Sequence, residues 1–235
     1  MKTFGTSHIG LVRGNNEDRY LIKETAGGIV LLAVADGICG QPAGELAAEI
    51  VIEKLSKFEL KDNGIDKQII ALLREADDAV RDRAKENADF EGMGTTLTFA
   101  CIRNRDIWWG HIGDSRLYLM RDGKPIQMTK DHTMAQFLLD DGEITVEDFK
   151  NHHARNFLVK SVGCGKCKPE TGFIKVQKGD LIMLTTDGLH GELDDHIIES
   201  VLAEKMDIEK MAEALLSRAL EAGGKDNITV IVASV

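Results

Sequence analysis

The stretch Ile29-Val30-Leu31-Leu32-Ala33-Val34-Ala35-Asp36-Gly37 sets seven apolar residues against an aspartate and a glycine. A short, branched, uncharged run bounded by turn residues reads as a wholly buried strand with Asp36 at its tip. Upstream, residues 3–10 and 19–24 also have strand character. Downstream of Pro42, Ala47, Ile50, Val51, Leu55 and Phe58 recur at helical spacing, and Ile69, Leu72, Leu73, Ala76, Val80 and Ala84 do so again. Strand character returns at 95–103, 107–112 and 116–121, with Gly113-Asp114-Ser115 as a connector and Asp122-Gly123 as a hairpin-type turn. Residues 131–163 are more polar, with short helices near 133–139 and 146–151, and read as a flap beside the sheet. Strands at 172–176 and 181–186, helices at 194–203 and 208–222, and a strand at 228–234 complete the pattern. Runs of strands broken by helical pairs favour an α+β fold, with mainly antiparallel sheets. One domain over residues 1–235 is expected, since no repeat or linker divides them.

The composition supports this and removes several functions. A chain with 43% hydrophobic and 29% charged residues can bury a large core. Its net charge of −10 has the wrong sign for nucleic acid or an anionic membrane surface. The apolar run at Ile29–Ala35 is far short of the ~20 residues of a membrane helix, so a cytoplasmic protein is expected. Cys39, Cys101, Cys164 and Cys167 are too scattered for a disulfide framework, and reduced thiols are expected. No phosphate-binding G-x-x-x-x-G-K-[ST] loop, three-glycine dinucleotide loop or G-x-S-x-G nucleophile elbow is present.

Chemistry is concentrated instead at the strand tips. Asp36 ends one apolar strand, Asp187 ends another at 181–186, Asp226 immediately precedes the strand at 228–234, and Asp114 lies between two more. Carboxylates so placed can converge on one edge of a sheet, where hard cations such as Mg²⁺ or Mn²⁺ find oxygen ligands. Without a cation such a cluster would repel itself. The glycines after Asp36 and Asp187 would let backbone approach a ligand, whereas Asp122-Gly123 and Asp141-Gly142 read as plain turns.

Seven motifs in order then resemble those of the metal-dependent (PPM, PP2C-like) serine/threonine protein phosphatases, above all the compact bacterial members. They are Arg13-Gly-Asn-Asn-Glu17-Asp18, Val34-Ala-Asp36-Gly37, Gly94-Thr-Thr-Leu97, Gly113-Asp114-Ser-Arg116, Thr129-Lys-Asp131-His132, Thr186-Asp187-Gly188 and Asp226-Asn227. The resemblance implies a β-sandwich of two mainly antiparallel sheets flanked by helical pairs, with two Mn²⁺ or Mg²⁺ ions at one edge. By motif position Asp36 would bridge the ions, Asp187 and Asp226 would hold the first, and the Gly37 carbonyl would reach the second. Glu17 and Asp18 would sit beside the second ion, directly or through water. Asp114 with Asp187 would form a third, weaker site.

Two cations a few Å apart can lower the pKa of a shared water and stabilise charge on an in-line phosphoryl transition state, so no protein nucleophile is needed. Arg13 would hold the phosphate through its guanidinium fork. Many eukaryotic relatives carry a histidine directly after the first Asp-Gly as a proposed general acid, and this chain has Ile38 there. His190 is an alternative proton donor, although a histidine in a helix-start loop is more often structural. Cys164-Gly-Lys-Cys167 reads as ordinary thiols rather than a redox pair, one of Trp108 and Trp109 as core and the other as rim, and His152-His153 as a solvated pair.

The leading expectation is an enzyme that hydrolyses phosphoserine and phosphothreonine in proteins, opposing a Ser/Thr kinase, as a monomer. A catalytically weak regulatory or phosphoprotein-binding module on the same fold is the alternative, but none of the metal aspartates is missing. A third reading is another divalent-metal phosphohydrolase, a nuclease or a small phosphate-ester hydrolase, and the negative charge and lack of a basic stripe argue against polynucleotide.

Overall fold

The computed structural model describes residues 1–25, 27–38, 43–165 and 167–235, so Cys39 and Pro42 lie outside the described residues. Among the described residues ten strands form two five-stranded sheets, and every pairing is antiparallel. The first sheet contains β1 (Lys2–His8), β10 (Ile228–Ser234), β9 (Leu181–Thr185), β6 (Arg116–Arg121) and β7 (Lys124–Gln127), in that order. In the second, β2 (Asp18–Glu24), β3 (Val30–Asp36), β4 (Leu97–Arg103) and β5 (Asp106–Ile112) follow in chain order and β8 (Glu170–Lys175) closes the edge.

The two-residue period of a strand explains why β3 is apolar throughout. Leu32 and Val34 face the other sheet and pack in one core with Ala100, Ile107, Trp109, Leu117, Leu184 and Ile231. Leu31, Ala33 and Ala35 face the opposite way, into a second core with residues of α1 (Gly44–Ser56) and α2 (Ile65–Glu86). A third core joins Met183, Val230 and Val232 to residues of α6 (Asp195–Ala203) and α7 (Ile208–Ala222). The result is a four-layer helix–sheet–sheet–helix sandwich, the α+β architecture the sequence predicts. Trp109 lies in the inner core and Trp108 is half-buried.

Departures lie at element ends, in one strand and in two short helical turns, Ala88–Phe90 and Asp187–His190. The strand expected at 3–10 stops at His8, because Gly10 turns the chain at φ 83° and the Ile9 carbonyl is taken by the Asn227 side chain. The strand expected from Thr95 begins at Leu97, since Thr95 and Thr96 hydrogen-bond the backbone of Asp36 instead. The unforeseen β7 is the partner demanded by the Asp122-Gly123 turn, whose residues both adopt positive φ. In the flap region, α3 (Met134–Asp140) and α4 (Val146–Asn151) are followed by chain that returns along the first stem through a Thr133–Leu158 bridge.

Candidate active site

The sandwich edge gathers the tips of both sheets. Asp18 opens β2 and Asp36 ends β3, and antiparallel register sets them directly opposite each other. The Asp36 backbone is clamped: its N–H donates to Thr96 Oγ1 at 3.0 Å, and its carbonyl accepts from the Thr96 N–H at 2.9 Å and from the Thr95 hydroxyl at 2.8 Å. Asp114 lies in the turn between β5 and β6. Asp187 begins the single-turn α5 (Asp187–His190) directly after β9, and Asp226 precedes β10.

These elements enclose a cavity of about 210 Å³ whose walls include Arg13, Asp36, Ile38, Asp114, Asp187 and Asp226. Asp114, Asn156 and Asp187 also line an adjoining cleft of about 330 Å³, which runs between the flap residues Leu139, Val146 and Phe149 and the segment Gly191–Asp195. Thus five of the seven side chains predicted to act on metal or phosphate share one cavity. Asp18 lies buried behind Asp36, and Glu17 and Gly37 are held together by the Gly37 N–H on the Glu17 carbonyl.

The electrostatics are those of crowded anions. Burial, and then the charges of Asp18 and Asp187, push Asp36 well above the ordinary carboxylate range. Burial and then Asp187 do the same to Asp114. Burial and then Asp226 raise Asp187 to about 6, and burial raises Asp18 to about 7 despite the Thr229 and Thr186 hydroxyls donated to its Oδ2 at 2.6 and 2.8 Å. The other oxygen of Asp18, Oδ1, is buried without a hydrogen-bond partner. A crowd of buried carboxylates with an unsatisfied oxygen calls for a hard cation, so the residues suit Mn²⁺ or Mg²⁺. Among the described residues no three His, Cys, Asp or Glu side chains yet close on a single point; the carboxylates ring the cavity, and Arg13 Nη2 donates to Asp226 Oδ2 at 2.7 Å. The guanidinium predicted to bind phosphate thus sits among the carboxylates predicted to hold metal and is paired with one of them.

The glycines after Asp36 and Asp187 are required by packing. A Cβ on Gly37 would lie 2.5 Å from the Gly44 carbonyl, and one on Gly188 would lie 2.0 Å from the Asn227 carbonyl. At both positions the missing side chain makes room for neighbouring backbone. His190 settles into the structural role: its Nε2 meets the Asp114 carbonyl at 3.1 Å, and burial pushes its pKa down to about 3, leaving a neutral ring that donates its Nε2 proton there.

Asn227 and Thr186 stand in the sequence motifs without an assigned role, and Thr229 lies outside them. Asn227 is a strap. Its Oδ1 accepts from the Glu17 N–H, and its Nδ2 is shared between the carbonyls of Ile9 and Asn15, each at 2.8 Å, so the loop carrying Arg13 is tied to the start of β10. The signal available was an Asn directly after an Asp at a strand start, a residue able to serve two backbone polarities at once. The thiols of the C-x-x-C behave as plain cysteines. Cys164 Sγ points to the Ser161 carbonyl and Cys167 Sγ to that of Leu73, and burial pushes Cys167 up to about 12, away from reactive thiolate.

Comparison with known proteins gives a consistent picture. The protein phosphatase 2C family profile matches residues 4–229. The serine/threonine protein phosphatase PstP of Mycobacterium tuberculosis is 37% identical over 231 residues, which cover 96% of this chain and 43% of that protein. This chain therefore spans less than half the length of that relative. The serine/threonine phosphatase Stp of Listeria welshimeri is 32% identical over 95% of this chain and 91% of its own length. A solved structure of the PstP catalytic domain in complex with two manganese ions superimposes with a TM-score of 0.87 at 35% identity, covering 99% of this chain and 97% of that one.

Proposed function

The chain belongs to the protein phosphatase 2C family, and on that premise we propose that it is an enzyme hydrolysing phosphoserine and phosphothreonine in proteins. The observation that carries the proposal is the single cavity walled by Asp36, Asp114, Asp187, Asp226 and Arg13. No feature of the cavity favours a regulatory module without turnover, for every carboxylate of the motif set is present.

Asp36, Asp187 and Asp226 would hold two divalent cations, with the Gly37 carbonyl, Glu17 and Asp18 beside the second and Asp114 with Asp187 offering a weaker third place. Manganese is the ion suggested by the PstP structure, and magnesium suits the same oxygen ligands. When bound, the ions supply a water of lowered pKa and positive charge facing the phosphoryl group. The protein's own groups do the rest. Arg13, anchored through the loop that Asn227 straps, offers a planar fork to two phosphate oxygens in exchange for Asp226. The hydroxyls of Thr186 and Thr229 fix the Asp18 carboxylate with one oxygen turned free behind Asp36. Ile38 keeps that wall apolar and offers no proton.

The reading extends to a single phosphatase domain over residues 1–235, a monomer in the cytoplasm that opposes a Ser/Thr kinase. No helix among the described residues is long and apolar enough to cross a membrane. Phosphate release from a phosphothreonine peptide should require added Mn²⁺ and vanish with chelator. Absence of release in both samples, with Mn²⁺ binding intact, would instead favour the regulatory module. We place substrate selection in the flap, 131–163, because Phe137, Val146 and Phe157 are exposed there and Val146 lines the cleft that opens onto the cavity. Exchanging this segment for that of a relative should change the ranking of phosphopeptide substrates, and an unaltered ranking would refute the assignment.

A further inference from the structure

We infer that His132 is a positioning residue that fixes the Gly113-Asp114 turn for cation binding, with Glu170 setting the imidazole tautomer that the task requires. The inference rests on the metal reading of the cavity. Gly113 takes φ 114°, and a Cβ there would lie 2.5 Å from Thr96 Cγ2, so the turn is packed tightly against Thr96, just before β4. Both backbone polar groups of Gly113 are satisfied by one residue: its N–H donates to His132 Nδ1 at 3.1 Å, and its carbonyl accepts the His132 N–H at 2.8 Å.

An imidazole that accepts at Nδ1 must carry its proton on Nε2 when neutral. His132 Nε2 meets Glu170 Oε1 at 2.9 Å, so the carboxylate selects that form. The ring is only 4% exposed and stacks on His111 at 4.7 Å, which blocks rotation. His111 is itself locked, with Nε2 against the Lys130 carbonyl and Nδ1 against the Thr98 hydroxyl. Burial lowers the pKa of both histidines, consistent with neutral rings. The chain Glu170–His132–Gly113 thus ends one residue before Asp114, and the His132 carbonyl also accepts the Val159 N–H from the returning stem of the flap. It is the arrangement of a histidine held by a carboxylate, used here to orient a metal-bearing turn and not to touch the metal.

The test is Mn²⁺ titration calorimetry on the wild type and on Glu170→Gln, Glu170→Ala and His132→Leu, with thermal unfolding in chelator as a fold control. Glu170 is half-exposed and its replacements should fold. Gln keeps an acceptor for Nε2–H and Ala does not, while both lose the charge facing Lys160. The weakest Mn²⁺ site should loosen about 10-fold or more in Glu170→Ala and His132→Leu and stay within about threefold of wild type in Glu170→Gln. Equal losses in the Gln and Ala variants, or wild-type binding in Glu170→Ala, would overturn the inference while leaving the metal reading standing. If His132→Leu fails to fold, the Glu170 pair decides alone. A wild type that binds no Mn²⁺ would overturn the metal reading and this inference with it.

Discussion

Asp187→Asn should lower Mn²⁺-dependent phosphate release about a thousandfold, equivalent to about 4 kcal/mol of barrier, with the fold intact. Asn is isosteric, and α5 is closed by backbone bonds, such as Gly191 N–H to the Asp187 carbonyl at 2.7 Å, that Asn keeps. What it loses is the charge that would hold a cation and the second strong oxygen donor. Stability should move in the other direction. A carboxyl whose folded pKa is raised, as that of Asp187 is to about 6, opposes folding once pH exceeds its unfolded value near ~4. In chelator at pH 8 the Asn variant should therefore melt at or above the wild type, with the difference gone at pH 4. Unchanged turnover would refute the site.

Breaking the Arg116–Asp131 pair should have the largest effect on stability. The fork is bidentate, Nε to Oδ1 at 2.8 Å and Nη2 to Oδ2 at 2.6 Å, with side chains 13% and 5% exposed. Tyr118 accepts from the remaining Arg116 nitrogen, and Gln127 donates to Asp131. Removing one partner strands a buried charge, so Arg116→Met should cost about 3–5 kcal/mol, read as a fall of about 2–4 °C in Tm per kcal/mol. Pairing it with Asp131→Leu should recover most of the loss. Burial alone would raise Asp131, but the hydrogen bonds and charge of Arg116 outweigh it and hold the carboxyl below its ordinary range. The pair's contribution is therefore present above about pH 4 and lost as pH falls through the lower folded value, so the gap between wild type and Arg116→Met should narrow in acid. A loss under about 1 kcal/mol at pH 7 would show a solvent-screened pair.

What could be read from the sequence was whatever local chemistry and periodicity dictate. The apolar run before Asp36 announces a doubly covered strand, and helical spacing marks α1, α2 and α7. Aspartates at strand tips announce the site because a strand end is the one place where a buried segment can deliver a charge to an edge. The rest depends on register and on distant partners. Asp18 faces Asp36 only because β2 and β3 pair without offset, and the hydroxyls of Thr186 and Thr229 reach Asp18 from the other sheet. Gly37 and Gly188 look like ligand-facing glycines in sequence, and only the packing shows backbone against them. The same holds for His132 and Glu170, which no local spacing connects.

The place of β10 between β1 and β9 governs when the cavity can form. Sheet two assembles largely from neighbours along the chain, β2 through β5, whereas β1 has no partner in its sheet until β10 arrives from more than two hundred residues away. Non-local pairing of that kind is slow to close. As the chain emerges from the ribosome, the β2–β5 half can order before Asp226 and the Asn227 strap have appeared, so the cavity can close only once β10 is in place. In refolding, pulsed hydrogen exchange should protect the amides of β3 and β4 before those of β10, and simultaneous protection would contradict this order.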